Sequence, residues 1–75
     1  MTIEEIKAAA ADVAAALQNA GAVPADLRAR FIAVRAELFR RGVFDPVLVR
    51  FDSATAPRAT NAEIAAELAA LAASL

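Results

Sequence analysis

Arg28 and Arg35 stand seven residues apart in the most cationic stretch of the chain. On a helix turning 100° per residue that spacing nearly superposes two side chains, and two guanidinium groups so placed could grip a phosphate or carboxylate as a fork. Arg40, Val49 and Arg50 continue the stretch, so Arg28, Arg35, Arg40, Val49 and Arg50 are the candidate contacts for an anion or a partner. The remaining reactive groups are sparse. Asp45, Asp52 and Glu63 lack the spacing of a calcium loop, and with only Gly21 and Gly42 there is no glycine-rich phosphate cradle.

Histidine and cysteine are absent from the 75 residues, which removes the ordinary ligands for zinc, copper and iron–sulfur centres. The same absence leaves acid–base or covalent chemistry to Asp, Glu, Lys and Ser. We therefore expect a non-enzymatic protein with no catalytic set, no metal and no cofactor. A net charge of −1 supplies no overall attraction to nucleic acid or to an anionic bilayer. The opening "MTIEEIK" carries acids where a secretory signal carries basic residues, and no apolar run reaches the roughly 20 residues that span a membrane. A cytoplasmic location is the expectation.

The elements that must position these residues are helices. Thr2 and Glu5 have the spacing of a capping box, and Ile3, Ile6, Ala10, Val13, Leu17 and Ala20 follow in steps of three and four, which predicts a first helix ending at Gly21 in a left-handed cap. Pro24 and Asp26 open a second helix running to Arg41 and stopped by Gly42. Its core row is Leu27, Phe31, Val34 and Leu38, with Ile32 and Phe39 about 100° further round. It is expected to be the most deeply buried helix and, given the short connection, antiparallel to the first. Asp26–Arg30 and Glu37–Arg41 have the i,i+4 order that supports a helix. Arg28 and Arg35 fall within the apolar arc, so they require partners, for which Glu63, Glu67 or the acids of the first helix are suited.

Asp45 and Pro46 cap and open a short helical turn in which Phe44, Val47, Leu48 and Phe51 share one side, a plug for the end of the core. "SATAPRAT" is a loop, because Pro57 holds Ala56 extended. Thr60 or Asn61 then caps a last helix whose stripe is Ile64, Leu68, Leu71 and Leu75. Alanine makes up nearly a third of the chain and favours helix while burying little area, so the core is small for a lone monomer. Two outward strips, Ala8, Ala11 and Ala15 on the first helix and Ala62, Ala66, Ala69 and Ala73 on the last, offer surfaces where another helix could approach closely.

Two segments resemble known families. "TNAEIAAELAAL", Thr60 to Leu71, resembles the first helix of the helix-turn-helix in response-regulator output domains of the LuxR type, which implies DNA contact through a following recognition helix. Only four residues follow Leu71 here. "FDSA", Phe51 to Ala54, resembles the Asp-Ser-Leu of acyl carrier proteins, which implies a phosphopantetheine on Ser53. Ala54 replaces that leucine and Pro57 interrupts the helix that would follow, so Ser53 reads as a turn residue.

The expected fold is all-α, one small domain over residues 1–75. It is a compact three-helix bundle with an additional short helical turn and an irregular proline-containing loop before the last helix. The expected role is a helical interaction module, a subunit, adaptor or regulator. Its partner would be a second copy in a homodimer, or a larger protein. The alternative is a nucleic-acid or small-anion binder using the arginine-rich second helix.

Overall fold

Helix-start signals in the sequence act where they stand. In the computed structural model of the chain, which describes residues 1–51 and 59–75, four helices form among the described residues. They are α1 (Ile3–Asn19), α2 (Ala25–Arg40), the short α3 (Pro46–Val49) and α4 (Asn61–Ser74). Thr2 Oγ1 accepts the Glu5 N–H at 3.2 Å while the Glu5 carboxylate accepts the Thr2 N–H at 3.0 Å. Thr60 and Glu63 repeat the arrangement at 3.1 and 3.3 Å, which makes Thr60 the cap of α4. Asp45 Oδ1 accepts the Val47 N–H at 2.8 Å, and Pro46 takes the first helical position, so the stretch 46–49 is helical and not extended. The loop expected over residues 53–60 lies mostly outside the described residues, as does Ser53.

The helix ends divide. Gly42 adopts φ +80, its N–H bonding to the Phe39 carbonyl and the Val43 N–H to the Leu38 carbonyl, the paired bonds of a Schellman motif. Gly21 does not take a left-handed conformation, contrary to expectation; α1 instead ends on Ala20 in extended geometry. The carbonyls there have another donor. The Asn61 side-chain amide reaches across from α4 to the Ala20 and Gly21 carbonyl oxygens at 3.1 and 3.2 Å.

That contact places the start of α4 against the end of α1. The Arg41 guanidinium donates to the Met1 carbonyl at 2.9 Å, which returns the end of α2 to the start of α1. Both α2 and α4 therefore run back along α1, with α3 packed on α4. The core is Ile6, Val13 and Leu17 of α1, Leu27, Phe31, Val34 and Leu38 of α2, Leu48 and Phe51 from the plug, and Ile64 and Leu68 of α4.

Four expectations about burial change. Ile3, at the end of α1 where neighbours stand on one side only, is 42% exposed. Helix α2 buries a single row and leaves Ile32 exposed, whereas α1 adds Ala10 and Ala14 to its buried face, so α2 is not the most deeply buried helix. Ala65 and Ala72 are buried on α4, while Leu71 and Leu75 are only partly covered. Phe44 is no part of the plug: it is 72% exposed and stacks on Phe39 with ring centroids 5.2 Å apart.

Candidate functional site: an alanine groove and a basic layer

Arginine placement follows from the aromatic packing beneath it. The Phe31 and Phe51 rings meet at 4.2 Å between centroids, joining α2 to the turn after α3. Arg28 lies over the Phe51 ring at 5.2 Å and Arg35 over the Phe31 ring at 5.5 Å, so each cation covers the open side of one aromatic. Arg35 also donates to the Leu48 carbonyl at 3.2 Å, tying α2 to α3. The two arginines do share a face, as their spacing requires. Of the acids suited to pair with them, Glu63 and Glu67 stand beside other groups.

Glu63 pairs with Arg50 at 3.6 Å, and Glu67 lies beside the Asp45 carboxyl group. Glu37 meets Arg40 at 2.6 Å and the Met1 ammonium at 3.8 Å, so its helix partner is Arg40 and not Arg41. Among the candidate contacts, then, Arg35, Arg40 and Arg50 all have intramolecular bonds. Val49 is 46% exposed.

Two carboxyl groups are shifted. The backbone N–H and hydroxyl of Thr2 hold Glu5 below its ordinary value by bonding the ionised form. Glu67 is raised, chiefly by its side-chain hydrogen bond with Asp45, with desolvation and the Asp45 charge adding in the same direction.

The alanine strips converge. On the outer side of the α1/α4 pair, Ala11, Ala14, Ala15 and Gln18 face Ala65, Ala66, Ala69 and Ala72 across an open groove of about 300 Å³. Two stretches that looked like separate surfaces are one. Ala11, Ala15, Ala66 and Ala69 form its exposed walls, with the buried Ala14, Ala65 and Ala72 closing its floor. Ala8, Ala62 and Ala73 are exposed but lie outside the lining. The floor residues escaped sequence reasoning because alanine gives little hydrophobic signal, although the seven-residue step from Ala65 to Ala72 marks a helix face.

Charge is segregated between two layers. Helices α1 and α4 carry Glu4, Glu5, Asp12, Glu63 and Glu67 against Lys7, a net of −4. From Ala25 to Arg50 six arginines stand against Asp26, Glu37 and Asp45, a net of +3. Among the described residues no polar or charged side chain is buried, and no helix is long and apolar enough to cross a membrane. No protein-family model, curated protein or solved structure matches the chain.

Proposed function

We propose that this protein is a small non-enzymatic helical interaction module that self-associates through the alanine groove between α1 and α4. The observation that carries this reading is the convergence of Ala11, Ala15, Ala66 and Ala69 from two distant stretches onto one concave, apolar surface. Small side chains let a partner approach the helix backbones closely, and burial of that surface adds to a small core in which Ala10, Ala14, Ala65 and Ala72 contribute little area. Sedimentation velocity over a concentration series tests it. A weight-average mass that rises with concentration, and that Ala66→Arg returns to the monomer with helix content unchanged, is the expected result; a monomer at every concentration refutes it.

A second reading is supported by the +3 charge of the α2/α3 layer: binding of nucleic acid or a small anion through Arg28, Arg35, Arg40 and Arg50. It requires those arginines to keep or exchange their contacts with Phe51, Leu48, Glu37 and Glu63. An affinity for single- or double-stranded DNA that falls steeply with salt would establish it, and no mobility shift at low salt would end it.

A further inference from the structure

Helix α2 carries a second apolar row besides the one it buries. Ala25, Ala29, Ile32, Ala36 and Phe39 follow one another in steps of four, three, four and three, the seam spacing with which one helix packs on another. The row points away from Leu27, Phe31, Val34 and Leu38, and its three alanines and Ile32 are exposed. Phe39 is half-buried with the exposed Phe44 stacked on its ring, so the two aromatics extend the seam past the end of the helix. The core does not need Phe44 there, since Leu48 and Phe51 already close the bundle.

Charges bordering this seam select what can cover it. At 100° per residue Arg28 and Arg35 fall along its plug side, where the structure places them over Phe51 and Phe31. The other side carries Asp26 and Glu37 with Arg30 and Arg40, a balanced edge in which Arg40 bonds Glu37. The seam is therefore apolar with a net positive border, and in helix pairs the bordering charges choose the partner and its orientation. A second copy docked antiparallel on the same seam would set arginine against arginine, and one docked parallel would offer those arginines only the balanced edge. A nucleic-acid strand would match the arginines and leave Ile32 and the alanines beside them unmatched. A helix with its own apolar seam and an acidic border meets both requirements.

We infer that the outer face of α2, continued by Phe44, is a docking surface for an acidic amphipathic helix of another protein. Ile32 and Phe39 pack in the seam, Phe44 closes one end, and the acids of the partner lie along Arg28 and Arg35. The contact is separate from the alanine groove and does not depend on self-association. Salt weakens it without abolishing it, because the border is screened while the seam is not.

A designed peptide tests the surface. The probe is a fluorescein-labelled helix of three heptads with leucine at the seam positions and glutamate at the bordering ones, and its control has the same composition in scrambled order. By fluorescence anisotropy the full chain is expected to bind the probe saturably and the control far more weakly. Phe44→Ser and Ile32→Ser, both at exposed positions, are each expected to weaken binding about tenfold or more with helical circular dichroism unchanged. Arg28→Glu is expected to lose the acidic probe and to bind a version bordered by lysine instead, a rescue that a purely structural role for Arg28 would not give. Ala66→Arg, in the alanine groove, leaves binding as it is. Equal binding of probe and control, or no loss in Phe44→Ser and Ile32→Ser, overturns the inference. So does an unlabelled single-stranded DNA that displaces the probe and binds more tightly, which gives the face to nucleic acid. Self-association of the wild type that Phe44→Ser abolishes without any peptide also overturns it and gives the seam to a second copy.

Discussion

Where α1 meets α4 the outer contact is made by Ala14, Ala65 and Ala72, whereas the space between α2 and α3 is filled by Phe31 and Phe51 with Arg28 and Arg35 laid over their rings. The two regions solve opposite problems. Alanine on both helices lets α1 and α4 pack closely along their length, so that little side-chain volume is needed between them. The four-residue α3 cannot cover the flank of α2 by itself, and two stacked aromatics bridge the gap with cations as a lid. The alanine contact should therefore be sensitive to added volume, and the aromatic contact to lost volume.

Truncating the aromatic side is expected to cost most. Phe31 is fully buried, so Phe31→Ala opens a cavity and is expected to lower stability by about 3–5 kcal/mol, read as the shift in a thermal or urea unfolding midpoint. A small shift would show that α1 and α4 hold the core without the plug. Enlarging the alanine side is expected to matter less but to depend sharply on position. Ala65→Leu, at a buried contact, is expected to cost about 1–3 kcal/mol, while Ala66→Leu on the neighbouring exposed wall changes monomer stability by no more than about 0.5 kcal/mol. Equal effects at the two positions would contradict the close approach of the helices.

Capping comes next. Thr60→Ala removes the bond to the Glu63 N–H and is expected to cost about 1 kcal/mol, with Thr60→Ser retaining most of it. The smallest effect is electrostatic and depends on pH. The raised pKa of Glu67 means that the folded protein holds this proton more tightly than the unfolded chain does. Its contribution to stability is thus present at acidic pH and is lost as pH rises through the folded value. Glu67→Gln, which can still donate to Asp45, is expected to raise the unfolding midpoint at pH 7 and to leave it unchanged well below pH 4. Glu5 has the opposite sign: its lowered pKa gives stability at neutral pH that disappears as pH falls through the folded value, and Glu5→Ala removes that dependence.

Much of the fold was legible because its signals are local. The Thr2–Glu5 box, a cap at Thr60 or Asn61, the Asp45–Pro46 start and the Gly42 stop each depend on residues within a few positions, and each acts as expected, with Thr60 the cap of α4. The row Leu27, Phe31, Val34 and Leu38 was legible too, since large side chains on one helix face have few alternatives to burial. Other features were hidden for definite reasons. Gly21 looked like a left-handed cap, but the chain leaves α1 in extended geometry at Ala20, and the Ala20 and Gly21 carbonyls are met by Asn61, 40 residues beyond Gly21 along the chain. Glu63, Glu67 and the acids of the first helix all suit Arg28 and Arg35 by charge and position, whereas in the fold the two guanidinium groups lie over aromatic faces and Glu63 pairs with Arg50. Phe44 resembled a core residue by type, yet the turn after Gly42 carries it to the outside against Phe39.

Helix identity, helix starts, the Gly42 stop and the large-residue core were set by the sequence alone, because propensity, capping and periodicity act over one or two turns. Tertiary structure decided which small residues meet. An alanine carries no preference strong enough to choose between a buried floor, a groove wall and open solvent. Only the docking of α4 back along α1 gave Ala72, Ala69 and Ala73 those three places. The segregation of charge into an acidic and a basic layer arose in the same step, when two helices at opposite ends of the chain became neighbours.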